Sequence, residues 1–508
     1  MTHWRFRFAP PRCCVRWIWR GDDRFDRVRR WIARYRQRAD LFEIVLTPGA
    51  PRDLAWLDDW AGLPIVWDLS GLPSADAGRP WIQQIRTLTA RGYGEWCILP
   101  ASWPPALGEA LRRHCSVMID FAIDAPGTSA ARVTARARQG GMDGIRIRHT
   151  PSGWAQIHAF LDLVHTLQEM DIEGVWVLSG TYGRWFQILA PWFGSLWTYV
   201  SSGPVSLTLQ RGEWTEITLE KYLHLYRVPE MAPDHRLVIG LLAGADEPLM
   251  DHIYNRLFQE LGVPLHFVPM VVDDVEHFWP LLHFLPVQGI RVFHAYRQQM
   301  YAMLQEVEPA VRVTRYVNTI VRRDHRWVGY NTEWSGFWNT LYRLFGDQQW
   351  MPMIIGTGSC ARAIAYAFAT AGLPFRITGR HLDAARSIAA ACQGTAVPWE
   401  QVDPTTFNLL IHATPVGQFP LHHEMISIPV SWVHRKIVFD MVYRPESTRL
   451  LQFARQQGAL WTVSGLEVLT EQVVQQIDLW VGTILRSEEI LPIIRTYMEE
   501  FDDTVNLF

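Results

Sequence analysis

The chain has 508 residues, 48% of them hydrophobic and 19% charged, which is enough for two to four domains with large cores. A net charge of −3 gives no electrostatic case for nucleic acid or an anionic membrane as the main partner. Apolar runs such as 175–178 and 436–442 fall far short of the ~20 residues that cross a bilayer.

Short β-branched runs alternate with helical patterns over the first 226 residues. The runs predict strands at 14–19, 41–46, 64–69, 95–99, 117–121, 144–148, 174–178 and 196–200, with amphipathic helices such as 23–37 and 154–169 between them. Eight strands alternating with helices argue for a (β/α)8 barrel, whose site would lie at the C-terminal strand ends. A Pro-containing polar stretch, 228–235, reads as a linker. Runs at 237–242, 265–271 and 290–293 then build a smaller α/β domain to about residue 345. Next, 352–355 enters Gly356-Thr-Gly358-Ser359-Cys-Ala-Arg-Ala363 and a helix, with further strands at 375–378, 409–413, 437–441 and 460–463. That pattern is a doubly wound nucleotide-binding domain. The expected fold class is therefore α/β: a TIM barrel over 1–227, an α/β substrate-binding domain over 236–345, a Rossmann domain over 346–484 and a C-terminal helix over 485–508 returning to the substrate domain.

Cysteines 13, 14, 97, 115, 360 and 392 form no CxxC and no disulfide or zinc spacing, so reduced thiols in a cytoplasmic protein are expected. The histidines include no HExxH, His422-His423-Glu424 reads as a solvated loop, and no metal site is expected. Twelve arginines in the first 38 residues hint at a transit peptide, but Asp22, Asp23 and Asp26 and the strand-then-helix pattern argue against one. The chain holds 46 arginines and two lysines, Lys221 and Lys436, so lysine chemistry is confined to two positions. Its 25 tryptophans read most simply as core and barrel filling.

A strand that runs into Gly356-x-Gly358 and then a helix lets backbone N–H groups approach a pyrophosphate, with the helix dipole assisting. The next strand ends Ile377-Thr-Gly-Arg380 with no acidic residue at its tip. An acid there would take the ribose 2′-OH of NAD; an arginine suits the 2′-phosphate of NADP.

The rear half resembles shikimate dehydrogenase. The resemblance rests on Asn318-Thr319, Gly329-Tyr-Asn331-Thr332-Glu333-Trp-Ser-Gly336, Gly356-Thr-Gly358, Ala413-Thr414-Pro-Val-Gly417, Asp440-Met-Val-Tyr443-Arg-Pro445 and Gly465-Leu-Glu-Val-Leu-Thr-Glu-Gln472, in family order and spacing. It implies NADP as cofactor, held by Gly356, Gly358, Ser359 and Arg380, with Thr414 and Gly417 lining the nicotinamide side. It also implies a shikimate-like substrate contacted by Asn318, Asn331, Thr332, Tyr443 and Gln472. The family's catalytic Lys–Asp pair falls at Arg297 and Glu333, and no serine lies between Ser206 and Ser335 to anchor a carboxylate as the family's early serines do. Arginine, with a pKa above about 12, can pair with Glu333 or hold an oxyanion but cannot give up a proton.

The front half resembles type I 3-dehydroquinate dehydratase, through Ala39-Asp-Leu-Phe-Glu43, Gly180-Thr-Tyr-Gly183 and Phe193-Gly-Ser195. The family's Schiff-base lysine falls at Arg146, its histidine base at Ala122, and its substrate-binding arginines at Val45 and Gln187. A guanidinium forms no imine and alanine moves no proton, so this half is expected to be inactive in that reaction. For the rear half two readings stand: an NADP-dependent shikimate dehydrogenase-like oxidoreductase, or a non-catalytic protein that retains NADP(H) or a metabolite. A third treats the barrel as a scaffold for the rear domains.

Overall fold

The computed structural model describes residues 7–19, 25–48, 50, 64–123, 129–201, 217–242 and 248–506. Asp22, Asp23, Ser206 and the first residues of the helix expected over 23–37 lie outside these. By its internal contacts the chain forms two compact units, 1–237 with 242–286, and 238–241 with 287–508.

In the first unit eight parallel strands stand in the order β7-β6-β5-β4-β3-β2-β1-β8. They are β1 (Cys13–Trp19), β2 (Leu41–Leu46), β3 (Ile65–Asp68), β4 (Trp96–Pro100), β5 (Ser116–Ala122), β6 (Gly144–His149), β7 (Glu173–Leu178) and β8 (Thr198–Val200). The ring is nearly closed: β7 meets the approach to β8 through one parallel bridge, Gly174 to Ser195. Ser195 Oγ accepts from the Trp176 N–H at 3.1 Å there. Gly174 is required at this seam, because a Cβ would stand 2.4 Å from the Ile145 carbonyl and 2.2 Å from the Trp176 ring. The strands are buried on both faces, as parallel strands under helices must be, which is why they read as continuous apolar runs. Trp19, Trp67, Trp154, Trp176, Trp185 and Trp197 are fully buried, in keeping with their reading as filling.

Past β9 (Arg236–Leu242), the segment 242–286 is compact with the barrel. It carries helix Pro248–Glu260 and β10 (Leu265–Val271), joined where the Asn255 side chain bonds both the N–H and the carbonyl of Phe267, each at 2.8 Å. The Trp154 indole donates to the Val271 carbonyl at 2.8 Å, stacks on Trp185 and meets Phe278 edge-on. The stretch read as a linker contains a 3-10 turn, Val228–Glu230, and buries Val228 and Met231.

The second unit holds two sheets. In one, the middle of β9 is followed by β11 (Val287–Val292), β13 (Thr319–Arg323), β14 (Arg326–Tyr330) and β12 (Glu306–Val307), in that order across the sheet. In the other, β15 (Pro352–Ile355), β16 (Arg376–Thr378), β17 (Thr395–Ala396), β18 (Leu409–His412), β19 (Ile437–Asp440) and β20 (Trp461–Ser464) stand in the order β17-β16-β15-β18-β19-β20. All these pairs are parallel. This is the doubly wound dinucleotide topology, and its switch point falls between β15 and β18, where such folds bind their ligands. Helix Ser487–Asn506 pairs Arg495 with Glu446 at 2.7 Å, just beyond β19. Among the described residues no helix is long and apolar enough to cross a membrane.

Candidate active site

Helix Thr332–Phe345 begins where Asn331 caps it, the side-chain oxygen accepting from the Glu333 N–H at 3.0 Å. The cap places Glu333 in the first turn, where the helix dipole favours a carboxylate. Glu333 is buried, and its Oε1 accepts from Arg297 Nη1 at 2.8 Å. The same Nη1 lies 3.2 Å from Ser359 Oγ, the first residue of the helix after β15. Glu333 Oε2 is buried with no hydrogen-bond partner among the described atoms. An orphaned carboxylate oxygen is costly, and a donor placed beside it would relieve that cost. Burial pushes the neighbouring Cys360 thiol well above its usual range, and Glu333 adds to the effect, so Cys360 stays a neutral thiol.

Asn318 and Thr332 form one network. The Asn318 amide donates to Thr332 Oγ1 at 3.1 Å and its oxygen accepts the Thr332 N–H at 2.9 Å. Asn331 reaches Thr314 at 3.3 Å, while Gln476 donates to Thr319 at 2.7 Å. Gly336 lets helix Gly465–Val481 lie close, since a Cβ there would meet the Gln472 side chain at 2.9 Å. Gln472 and Tyr443 are both half-buried.

At the switch point Gly356 has φ of +131°, and a Cβ would stand 2.5 Å from the Ala413 carbonyl, so only glycine fits. A Cβ on Gly358 would meet open space, on the side where the helix N-terminus begins. Gly379 packs on Thr357, which brings exposed Arg380 beside the glycine turn. Thr414 lies on the other side of the turn, its Cγ2 3.3 Å from that added Cβ of Gly356. Gly417, at φ +88°, turns the loop that follows.

No protein-family model matches the chain. The NADP(+)-dependent shikimate dehydrogenase of Desulforamulus reducens is 30% identical over 246 residues, 45% of this chain and 84% of that protein. This chain belongs to the shikimate dehydrogenase family. A chloroplastic bifunctional 3-dehydroquinate dehydratase/shikimate dehydrogenase of Arabidopsis thaliana is 26% identical over 374 residues, 69% of this chain. The present chain spans 60% of that relative's length. The structure of dehydroquinate dehydratase and shikimate dehydrogenase from S. pombe AroM aligns over 96% of this chain and 98% of its own, at 16% identity and a TM-score of 0.43.

The barrel ahead of the shikimate dehydrogenase-like half has a charged centre. Arg146 is 1% exposed and every donor it has is engaged. Its Nε reaches Asp120 at 2.6 Å, Nη1 reaches Glu43 at 3.3 Å and Tyr199 at 3.1 Å, and Nη2 reaches Asp68 at 2.9 Å and Ser70 at 3.2 Å. Arg16 pairs with Glu43 at 2.6 Å and lies 4.1 Å above the Tyr199 ring, while Arg148 holds Asp120 through two bonds. Three arginines thus face three carboxylates. Of the other dehydratase positions, Ala122 ends β5, Val45 is buried in β2, and Gln187 accepts from the Ile217 N–H at 2.7 Å. None of the three supplies a cation or a base.

Sequence reasoning anticipated the Arg297–Glu333 pair but assigned Ser359 to the cofactor alone, whereas it also touches Arg297. It missed His412, which is buried between Asp440 and Thr414. A histidine after an apolar strand carries no local signal of that kind, because its partner is 28 residues away.

Proposed function

We propose that the rear half is an NADP-dependent oxidoreductase that oxidises a hydroxyl of shikimate or a closely related alcohol. The segment 236–345 would hold substrate, 346–484 the cofactor, and 485–508 a closing helix. The observation that carries the reading is the Glu333 carboxylate, with one oxygen fixed by Arg297 and the other without a partner among the described atoms, while Arg297 itself reaches Ser359, the first residue after the glycine turn.

The residues fit NADP. Gly356 and Gly358 leave room for a pyrophosphate at the helix N-terminus, and exposed Arg380 beside the turn offers a partner for the 2′-phosphate. When bound there, NADP supplies the hydride acceptor. Glu333 Oε2 takes the hydroxyl proton, and a positioned base of this kind is worth roughly 10²–10⁴ in rate. Arg297 keeps its own protons and holds the charge of Glu333 and of the developing carbonyl oxygen. Asn318, Asn331, Thr332, Tyr443 and Gln472 contact the substrate. The test is a titration with NADPH, followed by shikimate oxidation at saturating NADP.

The barrel is inactive in dehydroquinate dehydration, because Arg146 has no donor to spare and no amine to form an imine. We place the protein in the cytoplasm, where its six cysteines remain reduced. A second reading, a non-catalytic NADP(H)-binding protein, is favoured by one observation: Arg297, at the position of the family's lysine, is locked to Glu333 and cannot relay a proton.

A further inference from the structure

At the C-terminal ends of β18 and β19 a line of hydrogen bonds leads into the cofactor crevice. Asp440 ends β19 at 0% exposure, and His412 ends β18 at 1%. Asp440 Oδ1 lies 2.8 Å from His412 Nδ1 and accepts the Val442 N–H at 3.1 Å. Its Oδ2 accepts the Thr448 hydroxyl at 2.6 Å. On the far side of the ring, Nε2 is bonded to the Thr414 hydroxyl. The carboxylate can only accept, so Nδ1 carries a hydrogen, and in the neutral ring Nε2 accepts from Thr414. The Thr414 hydrogen is thereby committed inward. One lone pair of Oγ1 accepts the Val416 N–H at 3.3 Å, which leaves one more on a half-buried side chain beside the glycine turn.

A carboxylate, an imidazole and a hydroxyl in that order polarise one another, raising electron density on the last oxygen when water is excluded. We propose that Asp440, acting through His412, makes Thr414 Oγ1 an electron-rich acceptor facing the nicotinamide, so that the protein favours the cationic ring of NADP+ over the neutral ring of NADPH. His412 and Asp440 are positioning residues in this scheme, and Thr414 is the group that touches the cofactor. The inference rests on the cofactor reading given under Proposed function. A plain structural role, in which the histidine only ties the ends of β18 and β19 together, would alter both affinities alike.

The experiment measures dissociation constants of the full chain for NADP+ and NADPH, by fluorescence titration and competition, in the native protein, His412→Gln, Asp440→Asn and Thr414→Val. Losing one hydrogen bond of this strength should lower the preference for NADP+ over NADPH by about two- to tenfold in each variant. Thr414 is half-buried, so Thr414→Val decides the matter should either buried change prevent folding. Equal shifts in both constants, leaving their ratio at the native value, would overturn the inference while leaving the cofactor reading intact. A native protein that binds neither nucleotide overturns both.

Discussion

Arg297 and Glu333 are joined at 2.8 Å, and Ser359 lies 3.2 Å from the same guanidinium nitrogen. By the resemblance to shikimate dehydrogenase, the pair falls at the positions expected for that family's lysine and aspartate. It preserves the charges of that pair while removing the member able to exchange a proton. Arg297→Lys with Glu333→Asp should therefore raise shikimate oxidation by more than the sum of the single changes, since two groups in contact act as a unit. KM should stay poor, because the serines that anchor the substrate carboxylate in the family have no counterpart here. Additive single effects in kcat/KM would show that the two residues work separately.

We propose that cofactor choice is set at the tip of β16. Exposed Arg380, the residue after Gly379 where that glycine packs on Thr357, should make NADPH bind more tightly than NADH. A charge-assisted contact contributes about ten- to a hundredfold in affinity. Arg380→Ala should narrow the NADPH preference toward that extent, as read from paired titrations. Equal native affinity for the two nucleotides would remove the assignment.

In the barrel, Arg146 pairs with three buried carboxylates. Removing one partner of such a network leaves uncompensated buried charge, so Arg146→Ala should cost about 3–5 kcal/mol. Urea unfolding followed by tryptophan fluorescence would measure it. Arg146→Lys should restore no dehydratase activity, because Ala122 supplies no base, and borohydride should trap no dehydroquinate adduct on the native chain. A trapped adduct at any barrel residue contradicts the assignment.

The same cluster predicts a pH response. Burial alone would raise the Asp68 and Asp120 carboxyls, but Arg146 outweighs it and holds both below the usual range, with Arg148 adding to the effect at Asp120. Groups depressed in the folded state contribute stability above their unfolded pKa, about 3.9, and lose it as the pH falls further. Glu43 runs the other way, since burial raises it despite Arg16 and Arg146, so acid relieves its cost. Two aspartates against one glutamate make the net sign destabilising. The barrel's Tm should fall as the pH drops below about 4. A Tm that holds steady or rises over that range would show that the arginines do not stabilise the charged aspartates.

Much of this fold could be read from the chain because its parallel strands are buried on both faces. Leu41–Leu46, Leu265–Val271 and Pro352–Ile355 are apolar runs with the same bounds in sequence and structure. The hairpin of β13 and β14 was not legible. Arg322, Arg323, Arg326 and Trp327 interrupt any apolar alternation, and the turn depends on Asp324 at φ +54°. Two-residue strands such as β12 and β17 are too short to show a period. Arg146 could be recognised as standing in the lysine's place. Its binding by Glu43, Asp68, Asp120 and Tyr199 could not, because those partners come from strands far apart in sequence and meet only when the barrel forms. The Asp440–His412–Thr414 line was hidden for the same reason.

In the proposed reaction Glu333 takes a proton from a substrate hydroxyl while NADP accepts the hydride. Single-turnover absorbance at 340 nm, with saturating NADP and high shikimate, tests it most directly in the native chain and in Glu333→Gln. The native chain should form NADPH, and the variant should lose roughly 10²–10⁴ in rate with NADPH affinity little changed. A native chain that binds NADPH yet forms none from shikimate, or a Glu333→Gln protein that is equally fast, would contradict it.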